Sequence, residues 1–380
     1  MRLQIGVPLP FGVRSADKTL LLACGQVIHD DAQLEELLSR GAVVELAELK
    51  ALFGPDDPLF AVPSGSPDSP PESLPAAQLP RRWSECATRV AAALAPDLLQ
   101  RQGALALATR NLELLMERST GLALSQIVRQ ERNEQAHYGV THAMNAAIAC
   151  RAAAQTLGWS QPQRQRALQA ALTMNLSIVD LQGRLAHQVS PLTAKQRQLI
   201  QEHPLRSAEM LEAAGIDDAQ WLGAVREHHE SPDGKGYPTG ATELDELGQL
   251  LRFADIYTAL LSRRATRAAM SARDAAREIY ELAAGSALCQ ALIKSFGVFP
   301  PGSFVRLASD EVGVVTGNGT RAYHPRVAVL TRTDGQARRM PAWRDTAAES
   351  HRIVALLSEA AMPIRVDFAA LACAIDGDPG

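Results

Sequence analysis

The sequence predicts a mainly α-helical protein: one helical bundle with a small α+β module ahead of it and a small β module behind it. Three observations carry that expectation. From Arg81 to Phe296 alanine and leucine abound, aromatics are few, and apolar residues recur at spacings of three and four, the period of a buried helix face. Ahead of that stretch, eight of the chain's 22 prolines fall between Pro55 and Pro80. Behind Pro300 the apolar period shortens to two, as in strands.

The elements follow in order. Residues 1–53 read as a head module, with "DKTLLLACGQVI" as a short hairpin and strand and "DDAQLEELLSRGA" as a helix stopped by Gly41. Residues 54–80 read as a linker, because proline lacks an amide donor and biases its predecessor away from helix. Residues 81–299 form the bundle. Thr193 with Gln196, and Asp217 with Gln220, have capping-box form, and Pro204 suggests a helix break. Residues 300–380 form the β module and a tail, with turns expected at Gly317-Asn318-Gly319 and Asp334-Gly335. "ESHRIVALLSEA" reads as a last helix before a weakly patterned end.

A net charge of -4 gives no broad basic field, which argues against binding a nucleic-acid polymer or an anionic membrane. Cys24, Cys86, Cys150, Cys289 and Cys373 are scattered and odd in number, which points to reduced thiols rather than disulfides or cysteine-bound zinc. The start "MRLQIGVPLPFGV" makes a poor signal peptide, and no apolar run reaches the ~18 residues of a membrane span. A cytoplasmic protein is expected.

The chemistry concentrates in histidines. His228 and His229 adjoin near a predicted helix end, where adjacent side chains point about 100° apart and converge only at an edge or end. A pair that merely caps the helix end is the plainer alternative. His203 stands beside Pro204, and His142 has Ala146 four residues on, so it faces close packing. Asp255 lies between Leu251 and Ala259 on one face and needs a cation or donor there; Arg252 or Arg264 would serve, as would a metal. Histidines and an aspartate on successive helices suggest a metal centre inside the bundle.

"HHESPDGKGYP", with "EHP" before it and "ADIYTALLSRR" after it, resembles the signature of the HD-GYP family. These are helical, metal-dependent phosphodiesterases acting on the bacterial messenger cyclic di-GMP. The resemblance runs from about Tyr138 to Arg267, and both flanking modules resemble pieces common in the family. It implies an HD-type bundle holding more than one iron or manganese ion, which activate a water against the phosphodiester. It also implies ligand positions at His142, His203, His228, His229 and Asp255. Asp233, Gly234, Lys235, Gly236, Tyr237 and Pro238 match the loop that gives the family half its name. With Arg264 they are expected to meet substrate or a protein partner.

The other half of the name is missing. Met174 and Asn175 stand where the family has its His-Asp pair, and Ser177 and Ile178 replace the following Gly and Lys. The family's aspartate bridges two metals. An asparagine offers one neutral carbonyl oxygen, and a thioether is a soft ligand poorly suited to iron or manganese. Ser231 and Ala265-Thr266 depart from the pattern as well, and Asp180 is placed off the face of Asn175. The expectation is therefore at most one metal and impaired hydrolysis, with the protein acting by binding cyclic di-GMP or a partner. An active enzyme on a rearranged or mononuclear site is the alternative, and a metal-free adaptor is a third reading. A homodimer is compatible with the sequence.

Overall fold

The computed structural model describes residues 6–15, 19–30, 33, 37, 43–44, 74–95, 103–129, 138–283, 285–321 and 323–377. The chain divides into two compact units, Met1–Ser69 and Pro70–Gly380.

In the first unit β1 (Val13–Arg14), β2 (Leu20–Leu22) and β3 (Val43–Val44) form an antiparallel sheet in the order β2-β1-β3. Leu9, Phe11, Val13 and Ile28 make its core. The expected helix over "DDAQLEELLSRGA" lies outside the described residues except at Gln33 and Leu37, which are both helical. The Gln33 amide donates to Asp30 Oδ1 at 2.7 Å. The chain's one His-Asp dipeptide, His29-Asp30, thus supplies a helix cap. Residues 54–73 of the expected linker lie outside the described residues, and residues 76–80 are already helical.

The second unit opens with α1 (Leu79–Ala93), α2 (Ala104–Arg118), α3 (Thr120–Arg129) and α4 (Tyr138–Thr156). It continues with α5 (Gln161–Thr173), a 3-10 turn (Leu176–Ile178), α6 (Val179–His187) and α7 (Ala194–Ala213). α8 (Ala219–Glu227), α9 (Glu246–Leu261), α10 (Ala272–Leu282) and α11 (Ala287–Phe296) complete the bundle. α4 is its axis and packs on α5, α6, α9 and α11. Its alanines explain why: from His142 to Ala154 every residue is buried, and small side chains let four neighbours approach together. Gly139 belongs to the same logic, since a Cβ there would collide with the Val179 backbone at the start of α6.

Local signals set most helix starts. Thr193 and Gln196 form the expected capping box. The cap of α8 falls one residue later than expected, on Asp218, whose carboxylate accepts from the Trp221 amide. It is also held by Arg166 at 2.7 Å, a tie that Asp217 does not make. Pro204 does not break its helix: it sits inside α7. The cost of an interior proline, about 3 kcal/mol, is borne by a helix otherwise capped and packed on α8.

The C-terminal part is an antiparallel five-stranded sheet, order β7-β6-β5-β4-β8. Its strands are β4 (Phe304–Leu307), β5 (Val312–Arg321), β6 (His324–Thr331), β7 (Ala337–Asp345) and β8 (Ile353–Leu357). Three expectations are corrected here. Gly317-Asn318-Gly319 is no turn but part of β5. There β6 passes so close that a Cβ on Gly319 would strike the His324 carbonyl. "ESHRIVALLSEA" is not a helix: Ile353–Leu357 pairs with β4, and Val354 and Leu356 alternate outward from their neighbours. The tail, finally, contains α12 (Phe368–Asp376), capped by Asp367 and packed on α1, α3 and β5. The Asp334-Gly335 turn stands where expected.

Candidate metal centre

His203 on α7 and His228 and His229 at the end of α8 bring one ligand nitrogen each within 4.8 Å of one another. His228 is the C-cap of α8, which lets the adjacent imidazoles turn toward a common point. The ring centroids of His203 lie 5.0 Å from those of both partners. His229 stacks on Tyr237 at 4.5 Å.

The tautomers of two ligands follow from their backbones. His203 Nδ1 lies 2.6 Å from the Ile200 carbonyl, and His228 Nδ1 lies 2.7 Å from the Val225 carbonyl. A carbonyl only accepts, so each Nδ1 carries the proton and each Nε2 presents a lone pair. Those two Nε2 atoms face each other at 3.1 Å. Burial, reinforced by the neighbouring imidazole, pushes His203 down to about 3 and His228 well below the usual range, so no proton is readily shared. Burial lowers His229 too. Opposed lone pairs repel unless a cation lies against both. Two nitrogens each ~2.1 Å from one ion stand roughly 3.0–3.4 Å apart. The donor set therefore fits a metal ion.

His142 and Asp255 are not part of that cluster. His142 Nε2 donates to Asp255 Oδ1 at 2.8 Å, and the Asn175 amide reaches the same oxygen at 3.5 Å. Neither Arg252 nor Arg264 is hydrogen-bonded to Asp255: His142 and Asn175 take the part that sequence reasoning offered to them. Burial acts to raise the Asp255 carboxyl, but the hydrogen bond and charge of His142, with the other imidazoles, hold it well below the carboxylate range.

Met174 is fully buried in the core cluster. Ser177 donates to the His203 carbonyl and meets Ser207, which ties the 3-10 turn to α7. Ile178 lines the cavity where the family pattern has a lysine. Asp180 is exposed and lines a different groove. The cavity, about 340 Å³, collects His142, Asn175, His203, His229, Tyr237 and Asp255. Arg264 and Arg267 also line it, and the Arg264 guanidinium donates to the Tyr138 hydroxyl at 3.0 Å. Tyr138, Gln182 and Arg267 were not singled out from the sequence, because no local pattern marks a wall contributed by two separate helices and the loop after α9.

The glycine loop divides its duties. Tyr237 lines both the histidine cavity and a second cavity of about 600 Å³, and Asp233 and Lys235 are exposed beside the second with Arg252 and Gln249. Ser231 and the Lys235 amide hydrogen-bond Asp233 and hold its carboxyl down at about 2. Gly236 is obligatory: a Cβ would stand 2.6 Å from the His229 carbonyl and from the Ser231 nitrogen. Gly234 adopts φ +71°, the left-handed region. Buried Glu230 accepts from the Thr239 amide and hydroxyl and the Gly240 amide, pinning the loop to the end of α8.

Known proteins are similar to this chain. A family model described as HD domain matches residues 122–286. The sequence is 27% identical over 213 residues to the cyclic di-GMP phosphodiesterase PA4108 of Pseudomonas aeruginosa, covering 55% of this chain and 51% of that protein. The chain thus spans about half the length of that curated relative. The solved structure of Bd1817, an HDG"Y"P protein from Bdellovibrio bacteriovorus, shares the fold with a TM-score of 0.50 at 15% identity, covering 77% of this chain and 96% of that one. The matched HD domain, a helical bundle of that type and the glycine loop together support a place for this chain among HD-GYP-like proteins.

Proposed function

We propose that this protein is a cyclic di-GMP-binding member of the family, with one metal ion on His203, His228 and His229 and impaired hydrolysis. A single observation carries the reading: Asp255, the remaining carboxylate of the set, is engaged by His142 and by the Asn175 amide and is not in the mutually close three-histidine donor group. An all-imidazole set favours iron over manganese, which prefers oxygen ligands.

A bound ion would supply an activated water and a Lewis acid for a phosphoryl oxygen. Around it, Tyr237 orients His229 by stacking, and Arg264 and Arg267 offer charge to phosphate at the cavity wall. Asn175 brings no anionic oxygen to join two ions, and Ile178 brings no cation to the phosphodiester. Exposed Asp233 and Lys235 leave the outer side of the loop available to a protein partner.

The test is elemental analysis of purified protein together with equilibrium dialysis and hydrolysis of cyclic di-GMP. One metal or fewer per chain, nucleotide binding and weak turnover are expected. Robust metal-dependent turnover abolished by His228→Ala would replace this reading with an active mononuclear enzyme. Two or more stoichiometric metals would show that Met174 and Asn175 do not empty the first-metal position.

A further inference from the structure

The Ile200 carbonyl, which orients His203, would in an uninterrupted α-helix be taken by the amide of residue 204. That residue is Pro204, which has no N–H. The freed oxygen accepts from His203 Nδ1 at 2.6 Å instead. His228 is served in the same way by other means. Its Nδ1 donates to Val225 at 2.7 Å, a carbonyl in the last turn of α8, where intrahelical donors have run out. Both imidazoles therefore use a carbonyl three residues back that the helix ladder has released, once at a proline and once at a terminus.

From this pairing we infer that Pro204 is a positioning residue: by withholding an amide from Ile200 it sets the His203 tautomer and aims its Nε2 lone pair at the metal site. The inference rests on the metal reading for its consequence, but not for its geometry. Ser177 strengthens the geometry, since its hydroxyl holds the His203 carbonyl and leaves Nδ1–H···O=C of Ile200 as the contact that orients the ring. The helix is otherwise intact through residue 204, so an alanine there restores the missing donor without breaking the element. His203 would then compete with an amide for one oxygen, and its ring would lose both tautomer and aim.

The experiment compares the full chain with Pro204→Ala in two ways. Nitrogen-15 NMR of the imidazole side chains, on chelator-treated protein, reads the tautomer. Titration calorimetry with Zn²⁺ reads the site. The parent is expected to show a protonated Nδ1 and a bare Nε2 at His203. The variant should mix the tautomers and bind Zn²⁺ about 10–100-fold more weakly, the usual effect of removing a ligand's hydrogen-bond partner. Thermal melting should show the variant at least as stable as the parent, because alanine is the better helix former. A variant that keeps the parent's tautomer and affinity overturns the role of Pro204. A parent that binds no Zn²⁺ overturns the metal reading instead, and the tautomer measurement still decides the part played by Pro204.

Discussion

At the scale of single residues, the proposed metal content turns on Met174 and Asn175. Asn175 is buried and turned to Asp255, donating where a carboxylate would repel. Restoring the pair reverses that sign. Met174→His with Asn175→Asp places a second anion beside Asp255, a repulsion that a bound metal cation would relieve. Metal content per chain, measured by elemental analysis, should rise above that of the parent. Activity is expected to lag behind occupancy, because Ile178 still lines the cavity in place of a cation. A folded double variant holding no more metal than the parent would mean that the space around Met174 has closed.

At the scale of elements, the C-terminal sheet carries its own electrostatic anchor. Glu311 is buried at the head of β5 and accepts from Arg338 at 2.7 Å, Arg344 at 2.8 Å and Ser309 at 3.0 Å. Burial acts to raise its carboxyl, yet the hydrogen bonds from Arg344 and Arg338 bring it down to about 2 from an ordinary 4.5. The folded state therefore releases this proton more readily than the unfolded state. Its contribution is complete above pH ~4.5 and lost as pH falls toward ~2. Thermal melts across that window should fall more steeply for the parent than for Glu311→Gln. At neutral pH the variant should be less stable by about 3–5 kcal/mol, since two arginines lose a shared buried partner. Equal slopes would show that the ion cluster does not govern the acid limb.

At the scale of the whole molecule, a site built from two helices links ligand binding to folding. α7 and α8 each supply histidines, so an ion that binds only the folded chain stabilises it. At a free concentration of ~100 times Kd the gain is about 2.7 kcal/mol. The melting temperature of the full chain should rise on adding Zn²⁺, return on chelation, and not move for His228→Ala. An unchanged parent melt would contradict a metal site on this cluster. No helix among the described residues is long and apolar enough to cross a membrane, which matches the lack of any such run in the sequence.

By itself the sequence determined the helical bundle and the alternating C-terminal module, and it singled out the three histidines that the fold brings together. Each of these is written in local identity or in a short-range period. The tertiary structure alone decided how the set divides. His142 and Asp255 lie 113 positions apart and are hydrogen-bonded to each other, outside the mutually close group of three histidines. That choice depends on helix approach, set in part by Gly139 against α6 and by Gly236 against the end of α8. Local rules also misread Ile353–Leu357 as a helix and Pro204 as a break. A short apolar run suits either period until a partner strand is present, and a proline ends a helix only where packing does not hold the next turn. The same proline shows why the site was legible in its residues but not in its geometry. What it contributes is an absent amide, and the carbonyl so released acquires a function only once the His203 ring is seen folded back onto Ile200.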